Sequence, residues 1–434
     1  MKPVFKPALS GRPNRGLPRR LLSTLGALAC AAASAAVCAA PDATLLAAAR
    51  AAQPQLVNTL REMVAIESGT MDAPGLARIA DYAERRLTAL GGQVERRKGA
   101  PAAGKDSLAE VLVARWSGSG KRRLMLIAHL DTVYWPKTLD SQPIKQDGNK
   151  LYGPGIADDK GGVALILHSL DILQRAGWRD FATLTVLFNG DEESGSAGSA
   201  ETIARLAAEQ DVVLSYEPTA DQDPGVLLAA AGVGSLTMSV AGRAAHAGAA
   251  PQLGRNALIE LSHQVLATAD VAQGVPGAQL NWTTMSAGNV RNQIPDKASA
   301  HADVRFTAIG ADSALLAAMR AKVAASSKVP DTQTTLALVV GRPPFVGDAR
   351  TRALAQRAQA IHAELGLARP LSIHPITGGG TDAGWAQSSG KAAVLESLGL
   401  PGAGYHAKDE YIDLDSIVPR LYLSTRLLTE LGRD

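Results

Sequence analysis

Apolar positions along this chain recur with two periods. Residues 42–68 and 73–91 space Leu, Val, Ile and Ala as a helix does, and strand-like runs follow at 107–115 and 124–128. A helix is predicted over 161–173, stopped by Gly177, and another over 196–208, with apolar strands at 183–188 and 212–214 between and after them. Short buried strands that alternate with amphipathic helices predict an α/β fold with a mostly parallel central sheet, because parallel neighbours need helical crossovers.

The pattern changes near Ala229. Residues 234–242 alternate like a half-covered strand, and 256–269 form a periodic helix. Strands at 279–288 and 298–306, a helix near 313–326 and a strand at 334–340 complete a β-α-β-β-α-β order. Such an order describes an α+β open sandwich with helices on one face of its sheet. The earlier style then returns: a helix at 348–365, a loop Gly378-Gly379-Gly380-Thr381-Asp382, a buried strand around 392–396 and a last helix after Asp413. The expected organisation is a discontinuous catalytic domain, 41–230 and 344–434, interrupted by a lid domain at 231–343.

The first 40 residues are expected to lie outside the fold. They carry Lys2, Lys6, Arg12, Arg15, Arg19 and Arg20 without an acid, then an Ala-rich apolar stretch and the small residues Val37-Cys38-Ala39-Ala40. That is the layout of an export signal, which predicts a periplasmic or secreted protein with no stable membrane span once the leader is removed. Arg19-Arg20 leaves both general and twin-arginine export open. The leader holds six of the 44 basic residues and none of the 41 acidic ones, so the net charge of +3 becomes −3 without it. Nothing here calls for a nucleic-acid partner. Cys30 and Cys38, the two cysteines, also fall in the leader, so the mature fold is expected to stand on its core without a disulfide.

Acids and a histidine gather at strand exits. His129-Leu130-Asp131 follows the run 124–128, Tyr152 to Gly162 opens a helix through Asp158-Asp159, Asp191-Glu192-Glu193 follows 183–188, and Glu217 follows 212–214. Ligands collect beyond the carboxyl ends of strands in α/β sheets, so these groups can converge. A histidine with several carboxylates and no cysteine suits Zn²⁺, or Co²⁺ or Mn²⁺, in an open shell. A two-metal hydrolytic site needs a bridging carboxylate and a base. Asp158, at a glycine-flanked turn, fits the bridge, and one of the adjacent Glu192 and Glu193 fits the base. Asp131 is placed to orient the ring of His129. No Gly-x-Ser-x-Gly elbow and no His-Glu-x-x-His helix is present.

These segments, with Ala245-His246-Ala247-Gly248, Gly378 to Asp382 and Gly404-Tyr405-His406, resemble the co-catalytic zinc peptidases of the M20 family, in particular the glutamate carboxypeptidase branch. The resemblance implies that His129, Asp158 and Glu217 hold one Zn²⁺ and Asp158, Glu193 and His406 a second. It also implies Glu192 as general base, Asp131 as the orienting residue and a cis peptide between Asp158 and Asp159. His246 would reach the site of a partner subunit, which makes a homodimer through the lid domain the expected assembly. Arg305, Arg342 and Asn292 resemble positions that face the substrate, and Gly379 and Thr381 could contact it through backbone amides. The implied activity is release of a C-terminal amino acid, glutamate foremost, from peptide, N-acyl or folate-like substrates. The alternatives are a dipeptidase or N-acyl-amino-acid deacylase of the same fold, or a metal-stabilised binding protein. Glu192 beside a full ligand set argues against the last.

Overall fold

A computed structural model describes residues 40–101 and 107–434, and all that follows concerns those residues; the expected leader, with both cysteines, lies outside them apart from Ala40. A six-stranded sheet forms the centre. Its strands run Gln93–Lys98, Glu110–Ser117, Thr183–Asn189, Arg123–His129, Val212–Ser215, Ala393–Leu395 in spatial order. The last four are mutually parallel, and the first two add antiparallel at one edge. Each parallel strand is buried on both faces, which is why it reads as an unbroken apolar run.

The pleat divides that run between two cores. Leu124 and Leu126 face the helices Ala43–Val64, Ala73–Ala89, Lys160–Arg175 and Ile417–Arg433. Met125 and Ile127 face the opposite way, toward Ile203, Leu206 and Ala383 from Ala200–Ala207 and Ala383–Gln387. Asp42 caps the first helix by accepting from the amides of Thr44 and Leu45, both at 3.0 Å. Among the described residues no helix is long and apolar enough to cross a membrane.

A second sheet is wholly antiparallel, in the order Ala278–Ala287, Lys297–Phe306, Gly232–Ala241, Gln333–Arg342. Helices Ala257–Thr268 and Ala311–Ala324 cover one face around Leu236, Met238, Val304, Phe306, Leu315 and Met319, a cluster separate from the two cores above. The other face is open, which accounts for the alternating burial along Gly232–Ala241.

Three features depart from the sequence reading. The edge strand Gln93–Lys98 was not expected, because a sequence of mostly charged residues at a sheet margin carries no apolar signal. The helix foreseen from 196 begins only at Ala200: Asp191 turns the preceding segment by accepting from the amide of Gly198 at 2.7 Å and the hydroxyl of Ser199 at 2.6 Å. A five-stranded sheet of two- and three-residue strands was also invisible. It joins Lys145–Asp147, Lys150–Tyr152, Tyr411–Asp413, Pro401–Ala403 and Thr219–Ala220, and so brings the turn before Asp158 against the loop of His406.

Candidate active site

Four of the acidic and histidine positions sit where parallel strands end. His129 closes Arg123–His129, Glu192 and Glu193 lie in a helical turn after Thr183–Asn189, and Glu217 follows Val212–Ser215. Asp158 precedes the helix Lys160–Arg175, and its peptide bond to Asp159 is cis, as the family resemblance implied. His406 arrives from the small sheet on a backbone with φ of 61°.

The two oxygens of Asp158 face different histidines. Oδ1 lies 3.0 Å from His129 Nε2, and Oδ2 lies 3.3 Å from His406 Nε2. Glu217 Oε2 is 3.8 Å from His129 Nε2, and Glu193 Oε2 is 3.2 Å from His406 Nε2. Donor atoms of His129, Glu192 and Glu217 lie within 4.8 Å of one another, as do those of His129, Asp158 and Glu193. His129 is common to those two groups, and the carboxylate of Asp158 lies between His129 and His406.

Those sets are held from behind. His129 Nδ1 is 3.0 Å from the carbonyl oxygen of Asp131 and 3.3 Å from its Oδ1. The carboxylate of Asp131 accepts from the amides of Glu192 and Glu193, each at 3.1 Å, and from the Thr70 hydroxyl at 2.7 Å. Asp131 thus orients the ring largely through its backbone, and spends its side chain on the Glu192–Glu193 turn. Asp159 caps the following helix through Gly162 N at 3.1 Å and accepts from His129 N at 3.2 Å. Glu410, which no sequence signal marks, accepts from the amides of Gly155, Ala157 and Asp158 at 2.8, 2.9 and 3.0 Å.

The donor chemistry fits divalent cations. With Nδ1 donating to Asp131, His129 Nε2 presents a lone pair to carboxylate oxygens, an arrangement of acceptors that only a proton or a cation reconciles. Glu193 Oε1 is buried and has no hydrogen-bond partner. Burial opposes a proton on His129, yet the charge of Glu217 and bonds to Asp131 and Asp158 hold its pKa well above the usual value. Burial also raises Asp158, but its bonds to His129 and His406 win and keep it below the usual carboxylate range. Burial lifts Glu193 to about 7 against the pull of His406, and lifts Glu192 well above an ordinary glutamate against the pull of Arg342. So many largely buried acids close together are costly unless positive charge joins them.

The site opens into a cavity of about 600 Å³, whose wall includes Glu192, Arg305, Arg342, Gly379 and Thr381. Arg342 is buried and pairs with Glu192 through the carboxylate and the backbone carbonyl, with Ser196 Oγ at 3.3 Å and Asp382 Oδ1 at 3.9 Å. Arg305 forks onto Asp303 at 2.9 and 3.1 Å. Both arginines reach the cavity, each already engaged by an acid. His246 and Asn292 do not line it. They lie exposed beside each other, where Ala245–His246 pairs with Gln293–Ile294 and Ala247 N donates to Asn292 O at 2.9 Å. His246 Nδ1 accepts from the amides of Gly248 and Ala249 at 3.2 and 3.0 Å, which leaves Nε2 as the protonated, outward nitrogen of the neutral ring.

Comparison with known proteins agrees with this geometry. The profile of peptidase family M20/M25/M40 matches residues 125–430. Carboxypeptidase G2 of Pseudomonas sp. (strain RS-16) is 42% identical over 392 residues, which cover 90% of this chain and 92% of that protein. A succinyl-diaminopimelate desuccinylase of Novosphingobium aromaticivorans is 27% identical over 80% of this chain and 92% of its own. Among solved structures, a tripeptidase from Staphylococcus aureus superposes with a TM-score of 0.71 at 20% identity, covering 88% of this chain and all but 1% of that one (99%). An M20 family metallo-carboxypeptidase from Sulfolobus solfataricus gives 0.65 at 16% identity, over 87% of this chain and 99% of its own. The chain belongs to peptidase family M20/M25/M40, and it is a metal-dependent hydrolase.

Proposed function

We propose that the enzyme is an exported carboxypeptidase or amidohydrolase that binds two Zn²⁺ and releases a C-terminal amino acid, glutamate foremost, from N-acyl, peptide or folate-like substrates. The observation that carries this reading is the split of Asp158, one oxygen toward His129 and the other toward His406. His129, Asp158 and Glu217 would hold one ion, and Asp158, Glu193 and His406 the other. Two divalent ions held by these residues would supply Lewis acidity toward an amide carbonyl and a water molecule. Glu192 takes the proton of that water and passes it to the leaving nitrogen; its burial and raised pKa suit it to both transfers. Asp131 fixes the ring of His129 and the backbone from which Glu192 projects.

Arg305 and Arg342, with the amides near Gly379 and Thr381, receive the free carboxylate of the departing amino acid. Arg342 exchanges Glu192 for that carboxylate as the substrate seats, which leaves the base free. Residues 231–343 act as a lid on the domain formed by 41–230 and 344–434, and pair with a second copy. Asn292 and His246 then reach the partner's site, where the Nε2–H of His246 stabilises the developing oxyanion. Residues 1–40 direct export to the periplasm or beyond.

The test is a hydrolysis panel of folates, N-acyl-glutamates, neutral N-acyl amino acids and free dipeptides, run on the zinc-loaded mature protein. Glutamate conjugates should lead in kcat/KM by about tenfold or more, a difference worth about 1.4 kcal/mol. A lead for free dipeptides would overturn the reading.

A further inference from the structure

A second, smaller cavity of about 240 Å³ adjoins the first. Glu193 and Ser194 line both, so the two hollows meet at the carboxylate that faces His406. The walls differ in character. The larger cavity carries Arg305 and Arg342. The smaller one is walled by Met71, Val133, Tyr134 and Trp135, with Asp72 and Glu193 as its charged groups and no lysine or arginine.

Its frame is built before any ligand arrives. Gly69 bridges Thr132, and Thr70 N donates to Thr132 O at 3.1 Å, so the two wall segments are stitched together. The Tyr134 hydroxyl lies 2.7 Å from Glu410 Oε2 and 2.8 Å from Ala407 O, which ties this wall to the His406 loop. Glu67 accepts from the amides of Lys137 and Leu139 at 2.7 and 2.9 Å and pins the segment that carries Trp135. On this fixed backbone two large apolar side chains face solvent: Met71 is 68% exposed and Trp135 71%. An indole and a thioether left in water beside a catalytic cleft are a ready contact for a flat apolar group. A cavity of about 150 Å³ already accommodates benzene, so this one has room for a ring and its linkage.

We infer that this cavity is the subsite for the acyl half of the substrate, and that Trp135 and Met71 select a neutral aromatic acyl group over an anionic one. The inference rests on the proposed amide hydrolysis and names its missing half. A substrate whose scissile bond lies beside Glu193 extends in two directions. The amino-acid carboxylate goes toward the arginines, and the acyl group goes over Trp135. A dicarboxylic acyl group such as succinyl would put its far carboxylate near Asp72 with no lysine or arginine in the wall to pair with it.

The experiment measures kcat/KM of the zinc-loaded mature protein for benzoyl, acetyl and succinyl conjugates of one amino acid. The amino acid is whichever the enzyme releases fastest, so a wrong choice of glutamate would change the leaving group and leave the acyl comparison readable. If only free dipeptides are cleaved, Phe, Gly and Asp at their amino end supply the same series. Wild type should rank aromatic first and anionic last. Trp135→Ala should lower the aromatic-to-small ratio by about tenfold, Trp135→Phe should keep it within about threefold of wild type, and Met71→Ala should lower it less. An unchanged ratio in both alanine variants, or a wild-type preference for the anionic group, would overturn the inference. Wild-type ranking decides the matter should Trp135→Ala not fold.

Discussion

The ring of His129 leans on the carbonyl oxygen of Asp131 at 3.0 Å, while the carboxylate of Asp131 is occupied by the amides of Glu192 and Glu193 at 3.1 Å each. One residue therefore sets the ring of a candidate metal ligand, the backbone of the candidate base and the backbone of a further ligand. Asp131→Asn keeps the shape but turns an NH₂ toward one of those two amides. The expected cost is about 10–100-fold in metal affinity or activity, with the fold retained. Zinc titration beside circular dichroism checks it, and wild-type affinity in a folded variant would show that the carboxylate does not organise the site.

Acid should weaken the fold through two histidines far from the metal site. His168 Nε2 is 2.9 Å from the Thr59 hydroxyl, which itself accepts from Arg86 at 3.0 Å, so the ring is built to be neutral. Burial, then the charge of Arg86, lowers its pKa from 6.5 to about 4, and burial with Arg420 does the same for His362. The unfolded chain binds these protons first. Stability is full above about pH 6.5 and is lost as pH falls toward 4, by on the order of 3 kcal/mol for each ring. Denaturant midpoints between pH 7 and 4 should fall in wild type and fall less steeply in His168→Gln. Parallel slopes would remove His168 from the account.

Gly69 is needed for close approach. A Cβ there would sit 2.2 Å from the backbone oxygen of Tyr134, where nothing flexible can yield. Gly69→Ala should cost about 1–3 kcal/mol in denaturant unfolding. Gly274, with nothing within 4 Å of an added Cβ, should accept alanine within about 0.5 kcal/mol. Equal effects would contradict the packing described for the wall.

Those residues also mark what can be read from sequence. Val212–Ser215 and Arg123–His129 are legible because burial on both faces demands an apolar run, and the acid or histidine after each run stands out against it. The strands Pro401–Ala403 and Thr219–Ala220 are too short to show a period, so nothing in sequence brings His406 to Asp158 except resemblance to known proteins. Glu410 is legible only in three dimensions, because its work is to accept three backbone amides. Arg342 was expected to face the substrate; it reaches the cavity, but its first partner is Glu192, a pairing that a separation of 150 residues conceals.

His246 should act on a neighbouring subunit. It does not line the cavity of its own chain. Mixing inactive His246→Ala with inactive Glu192→Gln, under conditions where subunits exchange, should restore activity, because a mixed dimer holds one site with Glu192 and a partner's intact His246. Demonstrated exchange without recovered activity would confine His246 to its own chain.

The central claim is that Glu192 moves the proton at a two-metal site. Glu192→Gln keeps the size of the side chain and the Arg342 contact through the remaining carbonyl oxygen, but cannot accept the proton of water. The measurement is kcat beside bound zinc, by elemental analysis of the same sample. The account predicts about two zinc ions per chain and a kcat lower by about 10²–10⁴-fold. A variant that binds both ions and turns over near the wild-type rate would contradict it.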